Sequence, residues 1–585
     1  MNFRTAGASP GDAGPPAVRD AQMLDGPPSN TSDARARPLD VRRSDPSRRV
    51  RLMEGAFVAA LALGTRLIYL DHVPHKDELN HVLAARSLLS AGNLEIMQGA
   101  DPYDRARVFT YMVAGMFRLF GESLVVARIP AVIAGVALVL ALFLWVRAEA
   151  GRAGAWVGAL LLIFSPIALQ LSQWSRFYTL HGLLVFLACL LVYRLFTTPA
   201  QRGWAIAARG SALVLCLLLA FHLQETTAVV AGGLVLWMSL TSMPRLWRRF
   251  PEPRQRKYLV GGLLGLLALL GLAAVLTGMA EWAIARAGHV DVWAERDRTN
   301  VRFYHFLLLN QYPALWTLFP LAVLLAAAVR PRAALLCTCV FGVALVAHSI
   351  MAWKTERYLS YAMPMFFALW GIAVGVTLPW IKGQLYRLLS DTGGAALPRR
   401  VRRPAVTALL IFVALFAAAG SGATSYAFKM LTVPDAEWGG FEYRGDPNWV
   451  AAAHMLGPLV HEADVVVASY DITSLYALGR VDYLMHRVRT GAGPIPEFGS
   501  RGKTLARVIT TPESLSIVMS CHAQGLVMIE RFHRNKEWAV SSATVDYLEA
   551  HTQAIPLPRH LRLHAYGWDG RGENAGSETL CPSLP

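Results

Sequence analysis

The chain has 585 residues, 54% hydrophobic and only 16% charged, with a formal net charge of +16. A soluble globular domain carries about 25% charged residues, so most of this chain is not one. The basic residues fall in short stretches between apolar runs, which excludes a nucleic-acid binder and fits the basic cytoplasmic loops of a polytopic membrane protein.

Residues 1–47 are rich in Gly, Pro, Ala, Ser, Asp and Arg without periodicity, and read as a disordered cytoplasmic tail. They lack the apolar core of a signal peptide. Arg48, Arg49 and Arg51 abut the first apolar run and place the N-terminus inside. Runs long enough to cross a bilayer follow at 52–71, 124–146, 155–172, 175–197, 210–224, 226–240, 258–279, 313–329, 333–351, 358–379 and 404–427. That predicts about eleven transmembrane helices within residues 48–427. Val108–Phe120 is short and contains Arg118, so it is read as an interfacial helix that does not cross. With that register, five basic loops all fall inside, among them Arg147–Arg152 and Arg330–Arg332.

Two charged clusters stand at boundaries of the apolar runs. The first, HVPHKDELNH, follows the first run and carries His75, Lys76, Asp77, Glu78 and His81. The second holds Lys354, Glu356 and Arg357 between two later runs. The same register puts Arg176, His222, Glu225 and Arg302 outside as well, where all of these would line one cavity at the outer boundary. No set of them has metal-ligand spacing. Asp77 and Glu78 also read as an acidic pair favoured by a helix N-terminus. Lys354 and Arg357 also read as snorkelling anchors.

From Leu431 the composition turns to that of a soluble protein. Trp449–Val460 reads as a helix, ADVVVASY as a strand, and SLYALGR as a helix turning at Gly479. A further alternation continues from Leu505 to Phe532, which predicts an α/β sheet domain over residues 428–585 on the outer side. It has no Gly-rich nucleotide fingerprint. Cys189, Cys216, Cys337 and Cys339 lie in apolar runs as core residues. Cys521 and Cys581 are the two cysteines of the exported part, and an oxidising compartment permits a disulfide between them.

Three segments resemble a known family. DELNHVLAARSLLSAGNL resembles the first-loop signature of GT-C glycosyltransferases related to dolichyl-phosphate-mannose protein mannosyltransferases and aminoarabinose lipid A transferases. FSPIALQLSQWSRFYTLHGLLVF and KTERYLSYAMPMFFAL resemble later segments of that family. Where the family often has an acidic residue after the Arg of the second segment, this chain offers Thr179 and His181. The resemblance covers roughly residues 50–380. It implies a polytopic GT-C-like helical fold and inverting transfer from a polyprenyl-monophosphate-linked sugar to an extracytoplasmic glycan, lipid or protein. It implies no certain cofactor and leaves room for a divalent cation. It also implies a site on the periplasmic face of a bacterial inner membrane.

That chemistry needs a base near the anomeric carbon and cations on the departing phosphate. The sequence offers Asp77 and Glu78 as catalytic carboxylates, and Lys354, Arg357, Arg176 and Arg302 for the donor phosphate. Lys354 and Arg357 are three apart and share a helical face if a helix starts there. The competing class is a transporter or flippase of a glycolipid, but no internal repeat of the kind transporters show is visible.

Overall fold

The computed structural model describes residues 48–198, 202–249, 299–352, 354–391, 421–434, 446–486, 489–490 and 493–570, with isolated positions between 252 and 281 and between 404 and 408. The expected tail at 1–47, the span at 258–279 and Cys581 lie outside the described residues, as does most of 404–427.

Among the described residues, eight helices come first. They are α1 (Arg48–Leu67), α2 (Lys76–Ser90), α3 (Arg107–Phe120), α4 (Leu124–Ile163), α5 (Pro166–Gln173), α6 (Tyr178–Thr197), α7 (Gly203–Leu223) and α8 (Thr227–Arg249). Among the described residues, five helices are long and apolar enough to cross a membrane: Leu124–Ile163, Tyr178–Thr197, Gly203–Leu223, Pro331–Ile350 and Met363–Arg387. Thr227–Met243 and Phe319–Val329 are shorter apolar helices.

Two expected spans are broken, whereas the runs at 124–146 and 155–172 are parted at Gly151, inside the expected loop Arg147–Arg152. Residues 124–163 form a helix pair joined at Gly151, whose φ of 79° and ψ of −171° lie where essentially only glycine sits. The second limb then ends, and Pro166 starts α5 after Ser165. Proline at the first helical position needs no N–H partner, so it starts a helix cleanly. The run at 313–329 is likewise split into α10 (Pro313–Thr317) and α11 (Phe319–Val329), after α9 (Phe303–Gln311). Next come α12 (Pro331–Ile350), the short α13 (Glu356–Leu359), α14 (Met363–Asp391) and α15 (Gly422–Thr432).

α4 and α14 cross on a glycine seam. A Cβ at Gly154 would lie 2.4 Å from the Gly371 carbonyl, and one at Gly375 would lie 2.5 Å from the Ala150 carbonyl. Gly154 and Gly158 on one helix face Gly371 and Gly375 on the other. Small residues four apart let two backbones approach closely in lipid, where packing replaces the hydrophobic drive.

α3 buries Phe109, Val113 and Phe117 along one face and leaves Tyr111, Leu119 and Phe120 exposed. Its 14 residues span about 21 Å, short of the ~30 Å hydrocarbon core. It packs beside α2, with the Phe109 ring edge-on to His81.

The C-terminal part is an α/β unit, as its V/I-rich alternation implies. Strands β1 (Val465–Ala468), β2 (Tyr483–Leu484), β5 (Arg507–Val508), β6 (Gln524–Glu530), β7 (Gln553–Ile555) and β8 (Leu563–Asp569) form one sheet in the order β5-β2-β1-β6-β8-β7. The first four run parallel, and β8 and β7 are antiparallel additions. β3 (Arg489–Thr490) and β4 (Gly493–Pro494) form a separate ribbon. Helices α16 (Trp449–Glu462), α17 (Asp471–Leu478), α18 (Pro512–Cys521) and α19 (Ser542–His551) complete it. α17 stops at Gly479, whose φ is 77°, the left-handed cap that glycine takes at no steric cost. Cys521 is disulfide-bonded.

This unit docks on the first loop. Leu79, Leu83 and Ala84 of α2 share a buried apolar cluster with Ile472. The Gly502 carbonyl accepts from the Asp101 amide at 2.7 Å. The Lys76 ammonium lies 4.6 Å over the Tyr470 ring.

Candidate active site in the first loop

The site is built around the start of α2. His75 caps the helix: its Nδ1 accepts from the Asp77 amide at 3.1 Å, and its own amide donates to Glu78 Oε1 at 2.8 Å. This reciprocal cap satisfies two of the amides that a helix start leaves unpaired. The His75 ring stacks on Trp174 at 3.9 Å. Burial first, then the guanidinium of Arg357, lower its pKa to about 3 against the pull of Asp77. A neutral ring is what an accepting Nδ1 requires.

The adjacent carboxylates have opposite surroundings. Glu78 is fully buried, and each oxygen accepts twice. Oε1 takes the His75 amide and Arg128 Nη2, while Oε2 takes Arg128 Nε at 2.9 Å and the Ser175 amide at 2.8 Å. Arg128 also donates to the carbonyls of Leu70 and His72, at 2.6 and 2.9 Å. Glu78 and Arg128 thus clasp three segments of chain. All the accepting capacity of Glu78 is taken up.

Asp77 is partly exposed. Its Oδ2 is ion-paired with Arg357, and its carbonyl accepts from Arg176 Nη1 at 2.9 Å. Burial pushes its pKa up, but Arg357 foremost, then Arg176, hold it well below the usual carboxylate range. Arg176 also donates to the Tyr103 hydroxyl at 2.8 Å, while its Nε is buried with no hydrogen-bond partner. The guanidiniums of Arg176 and Arg357 lie over the Tyr178 ring at 5.5 and 5.9 Å.

The other expected site residues are not all drawn in. Lys354 is buried and donates to the last carbonyls of α12, at 3.1 Å to Ser349 and also to Met351. The expected shared helical face with Arg357 is corrected here: α13 starts at Glu356, so Lys354 precedes the helix. Arg302 is exposed at the turn before α9. His222 and Glu225 are exposed at the α7–α8 turn, where His222 Nε2 accepts weakly from the Val108 amide at 3.5 Å. Glu225 therefore stands in a turn, not inside an apolar span. His81 is buried, with Nδ1 at 2.8 Å from the Thr110 hydroxyl and Nε2 unpartnered.

The sequence reading missed Arg128, Arg105, Tyr103, Tyr178 and Lys503. Arg128 had a signal, an arginine inside the apolar run 124–146. Arg105 stacks over Phe177 at 5.3 Å and Lys503 over Tyr103 at 5.4 Å. Among the described residues, no group of three His, Cys, Asp or Glu side chains could hold a metal ion. The side chains around Asp77 are cationic, a donor set that does not suit a divalent cation.

Fold and site define a polytopic helical protein with a charged centre in its first loop, covered by an α/β unit. The family described as dolichyl-phosphate-mannose-protein mannosyltransferase matches residues 104–276. No curated protein matches. The chain is similar to the crystal structure of ArnT from Cupriavidus metallidurans bound to undecaprenyl phosphate, at 15% identity and a TM-score of 0.54, covering 92% of this chain and 100% of that one. The apo ArnT structure gives 15% identity and a TM-score of 0.57, covering 90% and 99%. The archaeal oligosaccharyltransferase AglB from Archaeoglobus fulgidus, in complex with an inhibitory peptide and a dolichol-phosphate, gives 12% identity and a TM-score of 0.52, covering 86% and 72%. The likeness to these structures is one of fold.

Proposed function

We propose that this protein is a glycosyltransferase that moves a sugar, with inversion, from a polyprenyl-monophosphate donor to an acceptor hydroxyl outside the cytoplasm. The acceptor is a glycan, lipid or protein, and the site faces the periplasm of a bacterial inner membrane. The observation that carries the reading is the ion pair of Asp77 and Arg357 at a partly exposed edge. A carboxylate in contact with a guanidinium supports this reading, as a base beside a cation that a lipid-linked phosphate can engage.

In the donor-free protein, Arg357 keeps Asp77 ionised. A donor phosphate competes for the guanidinium, whose fork matches phosphate oxygens. Releasing Asp77 from its counter-charge raises its basicity. Asp77 then takes the proton of the acceptor hydroxyl as that oxygen attacks C1 of the sugar. The C1–O bond to phosphate breaks, and its electron pair leaves on the polyprenyl phosphate. Arg357, with Arg176, bears the negative charge that gathers there. Lys354 holds the loop that carries Arg357, and Glu78 holds the loop that carries Asp77. No step passes through a metal.

The test is transfer itself. Purified protein is supplied with a polyprenyl-phosphate-linked sugar pool and membrane acceptors. Wild type is expected to release polyprenyl phosphate and Asp77→Asn is not. Movement of intact glycolipid across a bilayer without bond cleavage would instead establish the transporter reading.

A further inference from the structure

A half-open cavity of about 1000 Å³ lies where β6 ends and β8 begins. Its walls carry Arg531, Arg534, Arg559, Arg562 and His564, and Glu549 is the one acidic side chain among the lining residues. Glu549 is already taken: Arg534 pairs with it, and the Tyr566 hydroxyl donates to it at 3.1 Å. Arg531 and Arg559 are exposed. The charge of Arg534 and Arg531 adds to burial in lowering the pKa of His564. The excess of positive charge is therefore focused into a cleft of ligand size.

Its position ties it to the site. It lies on the antiparallel side of the sheet, just beyond the carboxyl end of β6, with lining residues from β7, β8 and α19. Glu530 ends β6, Arg531 follows it, and the Arg531 amide donates to the Arg562 carbonyl at 2.9 Å. Glu530 acts electrostatically on Lys76, the neighbour of Asp77. The cavity thus begins one residue after Glu530, at the end of β6.

We propose that this cavity binds an anionic saccharide, the carboxylate- or phosphate-bearing part of the acceptor. The proposal rests on the transferase reading for the role of the ligand, but not for its binding. Planar guanidiniums bind both anions in bidentate fashion.

Full-length protein in detergent is titrated with a galacturonic acid oligosaccharide, a mannose-6-phosphate-bearing oligosaccharide, an uncharged malto-oligosaccharide and a short-chain phosphatidylglycerol. At least one of the two charged saccharides is expected to bind, more weakly at high salt, and the tighter of them names the anion. The double variant R531Q/R559Q is expected to lose about tenfold or more, and R531K/R559K to retain part of the affinity. Asp77→Asn is expected to bind as wild type does. Equal binding of the uncharged oligosaccharide, binding of the lipid alone, no binding of either charged saccharide, or unchanged affinity in the glutamine variant each overturns the proposal. Saccharide binding in a protein that never transfers sugar would leave this site standing and remove the transferase reading.

Discussion

Asp77 and Arg357 are 280 positions apart in the chain, and their side chains form an ion pair at the edge of α2. The pair joins the first loop to the loop between α12 and α14. It explains how a carboxylate among so many cations stays ionised without being consumed as a structural group. Among the described residues Asp77 has one salt-bridge partner and a partly open face, whereas Glu78 has none of its capacity left.

Replacing Asp77 with Asn is expected to leave folding near wild type and to lower transfer about 10²-fold or more, the usual scale for a positioned proton acceptor. Kinetics of purified protein with a native donor pool check it. Transfer near the wild-type rate would remove Asp77 from the mechanism.

Glu78→Gln is expected to fail in a different way. It leaves the Arg128 guanidinium buried beside a neutral amide, a loss of about 3–5 kcal/mol when one partner of a buried pair is removed. The readout is a thermal melt in detergent. A double variant that makes both positions neutral, E78Q/R128M, is expected to recover part of the lost stability. A wild-type melt for the single variant would mean that the clasp does not hold the loop.

Arg357→Ala and Lys354→Ala are expected to separate. The first should weaken polyprenyl-phosphate binding about 10–100-fold, the scale of a charge-assisted hydrogen bond. The second removes the cation that ties down the end of α12, so its loss should appear in stability, with donor affinity little changed. Titration of polyprenyl phosphate against both variants decides. Unchanged affinity for Arg357→Ala would shift the phosphate site to Arg176 and Arg302.

The pH dependence has a sign. Because the pKa of Asp77 is depressed, the ion pair contributes its full stability above the ordinary carboxylate value of about 3.9. That contribution is lost as the pH falls through the lower folded value. Removing Arg357 lets the pKa of Asp77 rise. The acid limb of kcat/KM, which reports the free enzyme, is therefore expected to move to higher pH in Arg357→Gln. An unmoved limb would show that another group sets it.

Membrane sidedness is open to labelling. A cysteine at Ser500, exposed in the α/β unit, is expected to react with an impermeant thiol reagent from outside. One at Gly203, at the exposed start of α7 beside a basic stretch, is not. The background is Cys189, Cys216, Cys337 and Cys339, which are free. The reverse pattern would invert the topology.

The sequence by itself determined the membrane class, the place of the charged loop after the first apolar run, and the α/β character of the C-terminal part. These follow from short-range properties: an apolar run, an acidic pair at a helix start, and a strand–helix alternation. It placed a break at the basic stretch Arg147–Arg152, where Gly151 parts the two limbs, but not the split at Pro166, because a long apolar run looks continuous until backbone angles are known. Nor did it tell Asp77 from Glu78. Neighbours on a helix point about 100° apart, so one faces Arg128 and the other Arg357. Which of two adjacent carboxylates is saturated and which stays available depends on arginines brought in from distant helices. Only the tertiary structure decided that, because the partners are set by packing, and local sequence carries no record of who packs against whom.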